Sequence, residues 1–201
     1  MVLAGGSSRR LGGAPKGLAE VAGIRIIDRV AAALREVAPE LLLVANDPAA
    51  SQWLPGTSVT SDLHPGKGGL AGVEAALGNG GGRDALVVGW DMPFVTPAIL
   101  RAILEAAESN SADIALPASD SPYGFEPFCA YYSVRVLPSL SRFLEAGSGG
   151  GAARDFIGRS SRVHLLQAQQ VAAVGDARML FFSVNTAADL ERARAMAKAT
   201  E

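Results

Sequence analysis

The chain of 201 residues is long enough for one sizeable hydrophobic core and short for two, so a single domain spanning 1–201 is expected. Apolar residues make up 49% of it and charged residues 19%, a globular composition, and a net charge of −2 gives no basic footprint for nucleic acid or an anionic membrane surface. The single cysteine, Cys129, excludes an intrachain disulfide and a cysteine-rich zinc site, and no apolar run has the length of a membrane span; an unexported protein of the reducing cytoplasm is expected.

Val2-Leu3-Ala4 reads as the end of a buried strand that runs into a glycine-dense turn. A strand of average length needs several more residues upstream, so a start before Met1 is expected. Apolar positions from Ile26 to Val37 recur at helical spacing, with Asp28, Arg29, Arg35 and Glu36 between them, and Pro39 follows. Leu41 to Ala45 is a continuous apolar run of the kind a parallel strand shows when both its faces are covered. Ser58 to Ser61, a helix from about Leu70 to Leu77, the strand Ala85 to Gly89, a helix from Pro97 to Glu108 and a strand at Ile114 to Leu116 continue the alternation. Alternation of this kind builds right-handed βαβ crossovers, hence an α/β fold: a mainly parallel sheet with helices on both faces, in three α/β/α layers.

Beyond Ser119 the periodicity weakens. Phe128 to Tyr132 has the composition of an antiparallel edge strand, Val134 to Ala146 and Arg154 to Arg159 read as helices, and Phe181 to Val184 as a late strand. The closing helix, Ala187 to Lys198, carries acids near its start and a lysine near its end, as the helix dipole favours.

The segment Leu3-Ala4-Gly5-Gly6-Ser7-Ser8-Arg9-Arg10-Leu11-Gly12-Gly13-Ala14-Pro15-Lys16 gathers four glycines, two arginines and a lysine after one strand. Glycines let backbone N–H groups approach an anion and the cations complete a phosphate cradle. A mobile connection with solvated arginines is the bland alternative, and the convergence of these residues disfavours it. The spacing fits neither a P-loop nor the dinucleotide-binding fingerprint. Asp91 directly follows a buried strand, where a carboxylate serves equally as a hard-metal ligand or as a turn and capping residue for the next helix. Glu126 to Ala130 reads from its residues as an edge strand whose Pro127 blocks sheet extension, a reading matched evenly by its resemblance to a strand beside the acceptor in a known family. His64 is expected to be a solvent-exposed loop residue, His164 structural, Cys129 a small packed residue, and Trp53 and Trp90 packing groups.

The glycine-rich segment resembles the signature Leu-Ala-Gly-Gly-x-Ser-x-Arg-Met-Gly-x-x-Lys of the molybdenum cofactor guanylyltransferases, within the GT-A-like nucleotidyltransferases. Leu11 stands for the usual methionine, and one extra residue precedes the lysine. The resemblance extends to Asn46, to Asp62 and Pro65 to Gly72, where Gly69 replaces a proline, to Gly89-Trp90-Asp91-Met92-Pro93, and to Ser183-Val184-Asn185-Thr186, where Ser183 replaces an asparagine.

Carried over residue by residue, it implies that Leu3, Ala4, Gly5 and Gly6 meet the nucleotide. It implies that Arg10 and Lys16 hold phosphates, that Asn46, Asp62, Gly68 and Gly72 lie along the nucleoside, and that Asn185 faces a pterin. Asp91 becomes the ligand of Mg²⁺. The implied reaction is transfer of GMP from GTP to molybdopterin with release of pyrophosphate, with molybdenum-insertion and molybdoenzyme-maturation proteins as implied partners. Gly5 favours guanine, because many cytidylyl-transferring relatives carry alanine there. Cytidylyl transfer, another phosphate acceptor, and a non-catalytic nucleotide-binding module are the competing readings.

Overall fold

The computed structural model describes residues 1–5, 15–147 and 152–199. Strands β1 (Val2–Leu3), β4 (Leu42–Val44), β5 (Ser58–Thr60), β6 (Ala85–Gly89), β7 (Ile114–Pro117), β8 (Cys129–Tyr132) and β9 (Val163–Leu166) form one sheet in the order β5-β4-β1-β6-β8-β7-β9. The pairs β5/β4, β4/β1, β1/β6 and β7/β9 are parallel, and only β8 runs against its neighbours. A separate two-stranded hairpin, β2 (Glu20–Val21) and β3 (Ile24–Arg25), leads into helix α1 (Ile26–Arg35). Helices α2 (Gly69–Asn79), α3 (Pro97–Ser109), α4 (Leu137–Glu145) and α5 (Ala152–Arg159) follow, then α6 (Ala168–Ala172), α7 (Ala177–Leu180) and α8 (Ala187–Lys198).

Alternation along each strand divides the core between the two faces of the sheet. Val2, Leu43, Val88, Ala115 and Cys129 pack with the buried faces of α1, α3 and α8. Their neighbours Leu3, Val44, Val87, Ile114 and Ala130 pack instead with α2, α4 and α5. The three-layer architecture follows from this split, and the strands β1, β4, β6 and β7 carry no polar side chain because both their sides are covered.

Several expectations are corrected. Cys129–Tyr132 is antiparallel and interior, since it pairs with β6 on one side and β7 on the other. The edge beyond it is β9, which its mixed sequence, Val-His-Leu-Leu, concealed. Residues 181–184 form no strand: the apolar side chains of Phe181 and Val184 are buried from an irregular connection after α7. The stretch from Val134 begins as a 3-10 turn and becomes α-helical only at Leu137, where Pro138 is tolerated in the first turn. Among the described residues no helix is long and apolar enough to cross a membrane.

Candidate active site

The carboxyl ends of β4, β1 and β6 lie side by side, and β1 is where the chain order reverses, from β4 and β5 on one side to β6 on the other. Loops diverge at such a switch point and leave a crevice. Here it is a cleft of about 600 Å³. Its floor is set by backbone bonds that continue past the strands: Ala4 N–H donates to Val44 O at 2.8 Å and Trp90 N–H to Leu3 O at 3.1 Å.

Lys16 opens a short 3-10 turn after Pro15. Gly17 behind it lies so close to the Trp90 indole that a Cβ there would come within 2.4 Å of the ring. The turn is thereby held against the loop that follows β6, and the Lys16 ammonium reaches Asp91 Oδ2 at 2.5 Å and Asn185 Oδ1 at 2.9 Å. The Lys16 and Asp91 side chains are 12% and 16% exposed, so the pair is shielded from bulk water while lining the cleft. Asn185 is delivered from the far end of the chain. Thr186 and Asp189 form a reciprocal cap on α8, Asp189 Oδ2 also accepts from Asn185 N–H at 3.1 Å, and Val184 N–H donates to Asp91 O at 2.9 Å.

The opposite wall is the segment between β5 and α2. Asn46 and Asp62 clasp each other: Asn46 Nδ2 donates to Asp62 Oδ2 at 2.7 Å and Asp62 N–H to Asn46 Oδ1 at 2.9 Å. Gly66 and Gly68 carry φ values of +83° and +76°, which only glycine adopts freely, and Gly68 caps α2 so that the helix N-terminus opens on the cleft. Gly72 sits against β1, where a Cβ would fall 2.2 Å from Leu3 Cδ1. His64, expected to be free in solvent, is 31% exposed and meets Glu74 Oε2 at 2.7 Å; Glu74 is only 1% exposed on α2. The pair ties the glycine segment to the core.

Among the described residues no three His, Cys, Asp or Glu side chains converge to hold a metal ion. A single carboxylate at a phosphate-sized cleft is nevertheless a donor set that suits a hard divalent ion, which keeps several waters and takes further oxygens from phosphates. Asp91 meets that requirement, and Gly89 leaves it room, since a Cβ at Gly89 would lie 2.8 Å from Asp91 Oδ1.

Residues 1–163 match the family model of the MobA-like NTP transferase domain. A molybdenum cofactor guanylyltransferase from Desulfosudis oleivorans is 32% identical over 200 residues, 99% of this chain and 95% of the relative. The chain belongs to the MobA-like NTP transferases. The structure of molybdopterin-guanine dinucleotide biosynthesis protein A from Archaeoglobus fulgidus superposes with a TM-score of 0.79 at 28% identity, covering 98% of this chain and 97% of that one. The fold also matches that of Rv0371c from Mycobacterium tuberculosis solved in complex with manganese, with a TM-score of 0.68 at 22% identity over 96% and 95% of the chains.

Within this nucleotidyltransferase family, the expected residues Leu3, Ala4, Gly5, Lys16, Asn46, Asp62, Gly68, Gly72 and Asp91 all line the one cleft, and Asn185 reaches it through Lys16. Gly6 and Arg10 lie outside the described residues. At Gly69, where the resemblance has a proline, a Cβ would fall 2.3 Å from the Phe128 ring. Trp53 and Trp90 stack on each other with ring centroids 5.0 Å apart, buried as expected of packing groups, and both also line the cleft. Trp90 Nε1 has no partner among the described residues. Cys129 is fully buried, and burial pushes its thiol far above the usual range.

Proposed function

We propose that this protein transfers the guanylyl group of GTP to the phosphate of molybdopterin, forming the guanine dinucleotide form of the cofactor and pyrophosphate. An acceptor phosphate oxygen attacks the α-phosphorus in line; the new P–O bond forms there as the bond to the β-phosphate oxygen breaks, and pyrophosphate leaves. No covalent enzyme intermediate is needed. In such transfers the protein contributes alignment and charge neutralisation.

The observation that carries the proposal is the meeting of Lys16, Asp91 and Asn185 at the carboxyl ends of β1 and β6, opposite the glycine-lined wall. Lys16 supplies a fixed positive charge for the phosphates, and Asp91 orients it through the 2.5 Å pair. Asn185 limits the swing of the ammonium and faces the acceptor. Gly5, Gly6 and Arg10 complete the grip on the triphosphate, and Asn46, Asp62, Gly68 and Gly72 line the path of the nucleoside. Asp91 would hold Mg²⁺, which would supply neutralisation of phosphate charge. The relatives' guanylyl specificity and the Gly5 signature support GTP over CTP. The proposed setting is the cytoplasm, with molybdenum-insertion and molybdoenzyme-maturation proteins as partners.

Pyrophosphate release measured with molybdopterin, Mg²⁺ and each nucleoside triphosphate in turn tests the proposal. GTP is expected to support turnover at least about tenfold better than CTP or ATP, a discrimination of roughly 1.4 kcal/mol. Preference for CTP would reassign the reaction to cytidylyl transfer, and no pyrophosphate with any triphosphate would leave only a binding module.

A further inference from the structure

The Lys16 turn and the loop after β6 meet on an indole. Gly17 follows Lys16 and Trp90 precedes Asp91, and a Cβ at Gly17 would fall 2.4 Å from Trp90 Cε3 and 2.6 Å from its Cδ2. The backbone of one segment therefore rests on the ring of the other, with no side chain between them. Trp90 is 3% exposed, and its own N–H donates to Leu3 O, which fixes the main chain that carries the ring. The next residue on each side of this contact is a member of the 2.5 Å Lys16–Asp91 pair.

A second ring backs the first. Trp53 stacks on Trp90 with an interplanar angle of 23° and is itself buried. Trp53 O accepts from Arg25 Nη2 at 3.1 Å, and Asp28 holds Arg25 through two bonds of 2.6 and 2.8 Å. Ile26 N–H, beside Arg25, donates to Ala19 O at 3.0 Å, and Ala19 N–H donates to Lys16 O at 3.2 Å. The support thus closes on itself, from the Lys16 turn through Arg25, Trp53 and Trp90 back to Gly17. These are the chain's two tryptophans. Trp90 Nε1–H has no acceptor among the described residues, so what the indole contributes here is its flat, rigid shape.

Resting on guanylyl transfer as the reaction, we propose that Trp90 is a positioning residue. Its ring, backed by Trp53, is the spacer that sets where the Lys16 ammonium stands relative to Asp91, and it governs the rate of transfer rather than the affinity for GTP. A packed interior hardly compresses, so a thinner side chain at 90 lets the turn sink and a larger residue at 17 lifts it. A displacement on the order of 1 Å at a reacting centre can cost about 10²-fold in rate. Neither change alters a charge.

Trp90→Leu and Gly17→Ala, each assayed in the full-length protein as pyrophosphate release with GTP, Mg²⁺ and molybdopterin, test this. Each is expected to lower kcat about tenfold or more and to leave the KM for GTP within about twofold. In the double variant the added methyl occupies room that leucine leaves, so kcat is expected to exceed that of either single variant. Trp90→Phe, which keeps an aromatic face and drops the unpartnered N–H, is expected to stay within about threefold of the wild type. A second readout needs no substrate: amine acetylation followed by mass spectrometry compares Lys16 with the exposed Lys198 of the same molecule. Relative to Lys198, Lys16 is expected to react about tenfold or more faster in Trp90→Leu and Gly17→Ala than in the wild type, and at the wild-type ratio in Trp90→Phe. Wild-type kcat in Trp90→Leu and Gly17→Ala, or a loss confined to KM, overturns the proposal. So does a Trp90→Phe variant as slow as Trp90→Leu, which would give the role to the N–H. Absence of pyrophosphate from the wild type would count against guanylyl transfer itself, and the Lys16 labelling ratio would still decide the role of Trp90.

Discussion

The Lys16 ammonium is shared between a carboxylate and a side-chain carbonyl, so its position is fixed by residues from both ends of the chain. In the proposed transfer, charge growing on the phosphates in the transition state would meet a donor that needs no reorganisation. Lys16→Ala is expected to lower the turnover rate by about 10²-fold or more, by the scale of lost oxyanion donors, with GTP affinity reduced far less; rapid-quench measurement of GMP transfer checks this. Gly89→Ala tests the same geometry without touching a charge. The added methyl, 2.8 Å from Asp91 Oδ1, must shift that carboxylate, so the rate is expected to fall by about tenfold or more while the fold survives. Lys16, Asp91 and Asn185 could be singled out in the sequence because each sits in a motif that resembles the family's, and the structure brings the three side chains together. His64 was misread, because its buried partner Glu74 lies ten residues on, in the middle of an apolar helix, where nothing local announces a carboxylate.

At the scale of elements, α2 carries that carboxylate into the core, and His64 alone pairs with it among the described residues. His64→Ala leaves Glu74 buried and unpaired and is expected to cost roughly 1–3 kcal/mol of stability, read from denaturant midpoints, with Glu74→Gln restoring part of it in the double variant. The β8 strand shows why the sheet was only partly legible. Four apolar residues with a proline two positions before them suggest an edge, but the hairpin from Ser119 to Glu126 returns the chain between β6 and β7 and buries the strand on both sides. Cys129 on β8 is therefore fully covered, and its thiol is held protonated by burial and, to a lesser degree, by Glu126. An alkylating reagent is expected to leave it unmodified in the native protein at pH 8 and to label it fully in denaturant, as mass spectrometry would report. Residues 181–184 have strand composition, yet no free sheet edge is left beside them, so they are buried as a connection that aims Asn185 at the site.

For the molecule as a whole, three partly buried carboxyls contribute to the acid limit. Burial pushes Asp84, Asp113 and Asp189 up, but hydrogen bonds outweigh it: Tyr131, Val134 and Ser133 on Asp84, Arg162 and Arg135 on Asp113, and Arg192, Thr186 and Asn185 on Asp189. All three end below the ordinary carboxylate value. The folded state therefore binds fewer protons than the unfolded state, so this stability is fully present above the unfolded value of about 3.9 and is lost as pH falls through the lower folded values. Burial also lowers the Met1 amine from 8.0 to about 5, so stability is expected to decline gradually as pH falls from 8 to about 5, and the melting temperature to fall again below about 4 as the carboxyls protonate. Because Asp189 holds the cap that positions Asn185, GTP turnover is expected to fail no later than the fold does. The α/β alternation that positions the cleft was readable from Val2 to Leu116, where parallel strands buried on both faces leave an unbroken apolar signal; it faded where the strand order turned antiparallel. In the proposed reaction one cleft, with Asp91 as its metal-binding carboxylate, holds GTP for transfer. Calorimetric titration of GTP and CTP in Mg²⁺, on the wild type and on Asp91→Asn, tests it most directly. Binding that favours GTP by about tenfold or more and loses its dependence on Mg²⁺ in the variant is the expected result; equal affinity for the two nucleotides, or a Mg²⁺ dependence unchanged in Asp91→Asn, would contradict it.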